Sequence, residues 1–417
     1  MSQSIAAAGL AVAPNLIFGK QYDDAIKRNE QYSMPTEIKI TEVKCGYLRG
    51  GHSLFVKILT NQEVWGIGEA VDATPGTYHL VKMLSNRMKD KNPLNVHRIW
   101  EELRKFGFFE GAQSGMYVAV LSAIDAALWD LAGKILGLPI YQLLGGKFRD
   151  KVRVYCDTAL YQSNNPKPEE FAAAAQEAVK MGFNACKFDV DQFNDPNKYD
   201  RYNWTASPAE YQRMVDQISA ARKAVGPNID ICVDMHGRYD AVTGEHVAKL
   251  FEPLNLLWLE EPVPAENIDA YKKIADSTST PICGGENFYL AHGFRKGLEI
   301  GAFDIIMPDL QKCGGLGEGQ RIANLANLYY VPFAPHMVAS YIGAMACAHV
   351  CATVPNFLIM EWQIYFHKDP MWREIVRFEG DFVDKGFLPV SNKPGLGVDI
   401  NEEALKKYAQ PGVPFFE

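Results

Sequence analysis

The chain has 417 residues, 47% of them hydrophobic and 22% charged, with a net charge of −8. That length exceeds one typical domain and that composition supplies a sizeable core, which excludes disorder. The acidic balance, without clustered Lys and Arg, offers no groove for nucleic acid, and no uninterrupted apolar run reaches the roughly 18 residues that span a bilayer.

Residues 1–36 read as a loosely ordered extension: Ser4 to Phe18 is Ala-rich but lacks the basic leader and cleavage pattern of a targeting segment. Eight cysteines stand singly, without a CxxC pair, and read as small core residues of a protein kept in a reducing cytoplasm. From about Glu37, alternation in Ile38 to Val43, Ser53 to Thr60 and Val64 to Glu69 predicts an antiparallel meander. Helical periodicity follows in Leu94 to Lys105 and in Tyr117 to Leu136, which Gly137 and Pro139 end. Residues 37–150 therefore read as one α+β unit.

The pattern changes at Val152. Short apolar strands now alternate with amphipathic helices: Val152 to Asp157, Ala185 to Val190, Ile229 to Asp234, Leu256 to Glu260, Pro281 to Gly285, Phe303 to Pro308, Val331 to Pro335 and Phe357 to Glu361. Eight such units predict a (β/α)8 barrel over residues 151–361, and the aromatic-rich residues 362–417 are expected to pack back on the first unit. Nearly every strand ends in a polar group: Asp157, Lys187 with Asp189, Asp234 with His236, Glu260 with Glu261, Glu286 with Asn287, Asp309 with Gln311 and Lys312, His336, and Glu361. In a barrel these ends converge on one rim, where active sites sit.

Asp234, Glu260 and Glu286 follow one another at intervals of 26 residues. Three carboxylates gathered in a low-dielectric site repel one another and call for a cation, and an all-oxygen set suits Mg²⁺ better than zinc. His236, two residues after Asp234, is expected to face the same cavity and can move a proton near neutral pH. His336 ends the seventh strand beside Asp309 of the sixth, and a carboxylate on one imidazole nitrogen makes the other a better base. Glu361, if protonated, can donate to a substrate carboxylate. Lys187 and Asp189 are candidates for substrate contact, or else for balancing the charge of the ligands. Gly314 to Gly319 matches neither common phosphate-loop pattern and reads as a tight turn.

The ordered run Asp234-x-His236, Glu260-Glu261-Pro262, Gly285-Glu286-Asn287, Asp309, Pro335-His336 and Glu361 resembles the enolase superfamily, mandelate racemase subgroup, and within it the galactonate dehydratase-like sugar-acid dehydratases. The resemblance extends over nearly the whole chain from about residue 37. It implies a modified barrel capped by an α+β domain, Mg²⁺ on Asp234, Glu260 and Glu286, His336 as base at C2, His236 as acid at the C3 hydroxyl, and Glu361 on the enediolate. It further implies that the loops Arg49 to His52 and Phe106 to Phe109 close over the substrate, which makes His52 a candidate contact. Where the racemase pattern carries Lys-x-Lys, this chain has Lys187-Phe188-Asp189, and the missing second amine favours dehydration. Epimerisation or cycloisomerisation of a related acid stays open as an alternative, as does a binding protein with a relic metal site. The expected partners are a small sugar acid and further copies of the chain, with neither nucleic acid nor membrane.

Overall fold

The computed structural model describes residues 37–50, 53–160, 163 and 165–417. The predicted N-terminal extension and His52 lie outside them. Strands β1 (Ile40–Tyr47), β2 (Ser53–Thr60) and β3 (Trp65–Val71) pair antiparallel in that order. Helices α1 (Tyr78–Met88), α2 (Val96–Phe106) and α3 (Gly115–Leu136) follow.

By length and composition α3 could cross a bilayer, but here nearly all of it is buried in protein, and it is apolar on every side for that reason. It presses on β3, where a Cβ at Gly66 or Gly68 would stand 2.1 Å from a carbonyl oxygen of α3. Bare backbone is what lets strand and helix approach so closely. The two acids in this apolar helix are both bonded. Asp130 accepts the Ile67 N–H at 2.9 Å and the Leu396 N–H at 2.8 Å.

The barrel alternates β4 (Lys151–Asp157), α4 (Pro168–Lys180), β5 (Ala185–Asp189), α5 (Pro208–Val225), β6 (Asp230–Asp234), α6 (Ala241–Phe251), β7 (Trp258–Glu260), α7 (Ile268–Ala275), β8 (Ile282–Gly284), α8 (Leu290–Ile300), β9 (Ile305–Ile306) and α9 (Leu316–Leu328). The seventh strand position is held at Phe333, which bridges Ile306 on one side and Phe357 on the other. After α10 (Tyr341–Thr353), β10 (Met360–Gln363) pairs parallel with β4 and closes the ring. The helices directly after β10, Tyr365–Lys368 and Met371–Glu374, are single turns, so the eighth unit lacks the long helix of the other seven. Tyr155, Cys232, Trp258, Cys283 and Met307 are among the side chains that fill the barrel, which makes it a packed core and not a pore.

The cap is seated on the barrel through carboxylates placed at helix N-termini, where unpaired N–H groups and the helix dipole favour an anion. Glu69 of β3 accepts from the Ser340 N–H at 2.9 Å, the Ser340 hydroxyl at 2.6 Å and the Gly343 N–H at 3.1 Å, all at the start of α10. Asp125 of α3 accepts from Leu316 at 2.7 Å and Gly317 at 3.2 Å at the start of α9. The Gly314 to Gly319 turn is thereby explained. Gly315 has φ 99°, and a Cβ there would lie 2.4 Å from Asp125 Oδ2, so the position a phosphate would need is filled by this chain's own carboxylate. The final segment returns to the first sheet: Gln410 and Phe416 donate to the carbonyls of Tyr47 and Cys45 on β1.

Candidate active site

Strand register assembles the rim. Asp189 pairs with Asp234 across β5 and β6, and Asp234 with Glu260 across β6 and β7, which sets three carboxyl-bearing residues in one row. Glu286 follows two residues beyond β8. One oxygen each from Asp234, Glu260 and Glu286 lies within 4.8 Å of the others, and all three residues are buried. Burial and the Asp234 charge push Glu260 well above the usual carboxylate range. Asp234, although burial opposes it, is pulled down to about 2 by His236 and Lys187. Two like charges that cannot both ionise behave in this way. A hard divalent cation taking oxygen ligands fits such a donor set and would relieve that conflict.

Among the described residues, the ammonium inside this cluster is that of Lys187. Its Nζ stands 3.4 Å from Asp234, 3.2 Å from Glu260 and 3.1 Å from Glu361. Burial works against its charge, yet Glu260 and Glu361 hold it well above the ordinary lysine range. Its hydrogens are thus committed to carboxylates.

His336 Nδ1 lies 2.7 Å from Asp309 Oδ2, while Nε2 lies 3.1 Å from Glu286 and 3.5 Å from Glu361. Burial opposes protonation, but Glu286, Glu361 and Asp309 hold this imidazolium well above the usual histidine value. Glu361 itself is held low: burial raises it, but Lys187 and His336 outweigh that. It accepts the Met337 N–H at 3.0 Å and the Gln363 amide at 2.9 Å, so its surroundings favour the ionised acceptor rather than the protonated donor considered from sequence.

His236 reaches the same cavity, but not by strand alternation. The strand ends at Asp234, and His236 adopts a left-handed φ of 46°, with its N–H bonded to Asp234 Oδ1 at 2.6 Å. A left-handed non-glycine residue is uncommon and marks a constrained site. Its Nδ1 lies 2.9 Å from Asp191. Burial opposes its charge, but Asp234 and Asp191 hold the ring well above its ordinary value. Asp189, raised by burial and the Asp157 charge, lies 3.9 Å from His236 Nε2.

Lys187, Asp189, Asp191, His236, Glu286, His336 and Glu361 line a cavity of about 980 Å³ shared by cap, barrel and C-terminal segment, with Asp234, Glu260 and Asp309 fully buried behind them. Arg49 and Asp72 come from the cap, and Tyr365 and Trp372 from the stretch after β10. Phe108 and Phe109, expected from sequence to close over the substrate, are not among its lining residues, and Phe109 is 95% exposed. Sequence reasoning also missed Asp191. It lies two residues past the end of β5, where strand alternation no longer fixes the direction of a side chain. Lys312, salt-bridged to Asp72 at 2.8 Å and hydrogen-bonded to Asn287 at 3.2 Å, was read only as a polar strand end and ties barrel to cap.

Two family models match this chain. "Enolase C-terminal domain-like" covers residues 170–404, and "Mandelate racemase / muconate lactonizing enzyme, N-terminal domain" covers residues 29–145. The chain belongs to the enolase superfamily, mandelate racemase group. A D-xylonate dehydratase of Haloferax volcanii is 37% identical over 386 residues, which is 91% of each chain. A D-galactonate dehydratase of Pectobacterium atrosepticum is 33% identical over 88% of this chain and 94% of its own length. The crystal structure of a mandelate racemase/muconate lactonizing enzyme-like protein of Rubrobacter xylanophilus superposes with a TM-score of 0.86 at 42% identity, over 91% of this chain and 99% of its own. Superfamily members use a divalent metal, and the acidic cluster described above fits one.

Proposed function

We propose that this enzyme is a Mg²⁺-dependent dehydratase that converts an aldonic acid, of the galactonate or gluconate kind, into its 2-keto-3-deoxy acid. Membership of the hydro-lyases follows from its relatives, and the observation that carries the reaction is the pair of histidines, each held at Nδ1 by a carboxylate, on either side of one acidic cluster. Asp234, Glu260 and Glu286 would hold Mg²⁺, which when bound supplies positive charge beside the substrate carboxylate and its enediolate.

Asp309 accepts the Nδ1 hydrogen of His336 at 2.7 Å; with Glu286 engaged by the ion rather than by Nε2, the ring would be neutral and Nε2 open to take the C2 proton. The C–H electron pair becomes the C1–C2 double bond of the enediolate. That pair then forms the C2–C3 double bond as the C3–O bond breaks, and His236 Nε2 gives the departing hydroxyl the proton that makes it water. The enol product tautomerises to the ketone. Hydroxide leaves poorly without that proton, so the acid is as necessary as the base. Lys187 balances Asp234, Glu260 and Glu361 at the cavity floor. Glu361 completes the anionic wall beside His336, and Asp189, near His236, is placed to meet a sugar hydroxyl.

Elimination is favoured over epimerisation because Asp189 stands where a second basic amine would be needed and the neighbouring amine, Lys187, is bound to three carboxylates. The eight cysteines, all buried and free, support a reducing cytoplasm as its compartment. A panel of aldonic and aldaric acids, incubated with Mg²⁺ and scored for 2-keto-3-deoxy product, tests the reading. Product from at least one acid is expected. Recovery of C2-inverted, deuterated substrate from D₂O with no keto acid would replace dehydration by epimerisation.

A further inference from the structure

His236 stands on less secure ground than its counterpart. It follows the end of β6 on a left-handed backbone, and 31% of its side chain is open to solvent. A ring so placed has to be aimed. Asp191 Oδ1 lies 2.9 Å from Nδ1, and Asp191 Oδ2 lies 2.9 Å from an Arg238 guanidinium nitrogen. The Asp191 side chain is only 3% exposed, whereas Arg238, on the cavity rim, is 54% exposed. A carboxylate can only accept, so Nδ1 carries the hydrogen and Nε2 becomes the atom that gives and takes a proton. Two further carboxylates, Asp234 and Asp189, face Nε2 at 3.6 and 3.9 Å, beyond hydrogen-bonding distance. Nε2 is therefore not captured by its neighbours.

We infer that Asp191 is a positioning residue for the elimination half of the reaction: it fixes the His236 ring with Nε2 facing the cavity, and Arg238 braces Asp191 from the rim. The inference rests on the dehydratase reading above. In the step it serves, the C3–O bond breaks, its electron pair leaves with oxygen, and the oxygen takes the proton from Nε2. Asp191 moves no proton and touches no substrate. Its removal should spare the C2–H step, which His336 performs with Asp309.

Wild type, Asp191→Asn and Arg238→Gln, each loaded with Mg²⁺, are incubated in D₂O with the best acid from the panel. Deuterium at C2 of recovered substrate and the 2-keto acid formed are followed together. In Asp191→Asn the keto acid should form about 100-fold more slowly, the size of a lost proton-transfer catalyst, with the ratio of exchange to elimination rising by a similar factor. Asp191→Glu, which keeps a carboxylate that can only accept, should recover part of the elimination. Arg238→Gln should raise the same ratio by only about 3-fold, because an ion pair with one half-exposed partner contributes little. Equal loss of exchange and elimination in Asp191→Asn, or unchanged elimination, overturns the inference. If that variant does not fold, an unchanged ratio in Arg238→Gln overturns it. Wild type that gives neither exchange nor product with any acid overturns the dehydratase reading instead.

Discussion

His336 and His236 face one cavity from the seventh and third strands, each with Nδ1 on a carboxylate, yet their settings differ. The His336 side chain is 11% exposed and walled by Glu286 and Glu361, whereas that of His236 is 31% exposed and braced through Asp191 by a rim arginine. A proton taken from carbon must be held against return, and a dry anionic wall stabilises the imidazolium that holds it. A proton given to a departing hydroxyl must be replaced, and a ring open to water recharges readily. On the proposed reaction, the same local device is set into two environments suited to opposite transfers.

The sharpest way to break that comparison is His336→Asn, which should lower both C2 deuterium exchange and product formation by about 10³-fold or more. Retained exchange, measured by NMR, would remove His336 from its role. Glu286→Gln acts on the same side. It should weaken Mg²⁺ binding by more than about 100-fold in calorimetric titration, since even outer partners of metal ligands are worth about 10- to 100-fold. His236→Asn should cut elimination by about 10²-fold while exchange persists. If both activities fall together, the two sides do not divide the work.

A third histidine serves structure alone, and its effect falls on stability and not on activity. His349 is fully buried, accepts the Tyr141 N–H at Nδ1 and donates from Nε2 to the Leu396 carbonyl, and burial pushes it from 6.5 down to about 4. It is neutral when folded, so as pH falls through 6.5 the unfolded chain gains a proton that the folded one refuses. Stability is lost progressively between pH 6.5 and about 4, by a few kcal/mol at most at roughly 1.4 kcal/mol per unit. His349→Gln should flatten the pH dependence of urea unfolding across that interval. An unchanged slope would show that His349 titrates normally.

Strand ends carried most of what was readable. Apolar runs closed by a charged residue marked the eight barrel positions to within a few residues, and the evenly spaced Asp234, Glu260 and Glu286 needed only the barrel to be brought together. The Asp309 and His336 pair was legible because adjacent parallel strands set their ends side by side. Loop geometry was not legible. Asp191 lies beyond its strand, so nothing in its spacing says that it turns toward His236. The left-handed turn at His236 is a backbone choice that no side-chain pattern announces. The aromatic pair Phe108 and Phe109 looked like a lid, yet both side chains face outward, and Tyr365 and Trp372 line the cavity from a segment valued in the sequence only for its aromatic content.

Lys187 has a consequence for how the molecule is made. By sharing its ammonium among Asp234, Glu260 and Glu361, it supplies part of the counter-charge from within the chain. The barrel mouth can therefore close during folding before any ion arrives, unlike small metal domains that stay unfolded until loaded. Loading becomes a late exchange at a finished rim, reversible without unfolding, so a chelator should silence the enzyme and leave its fold standing.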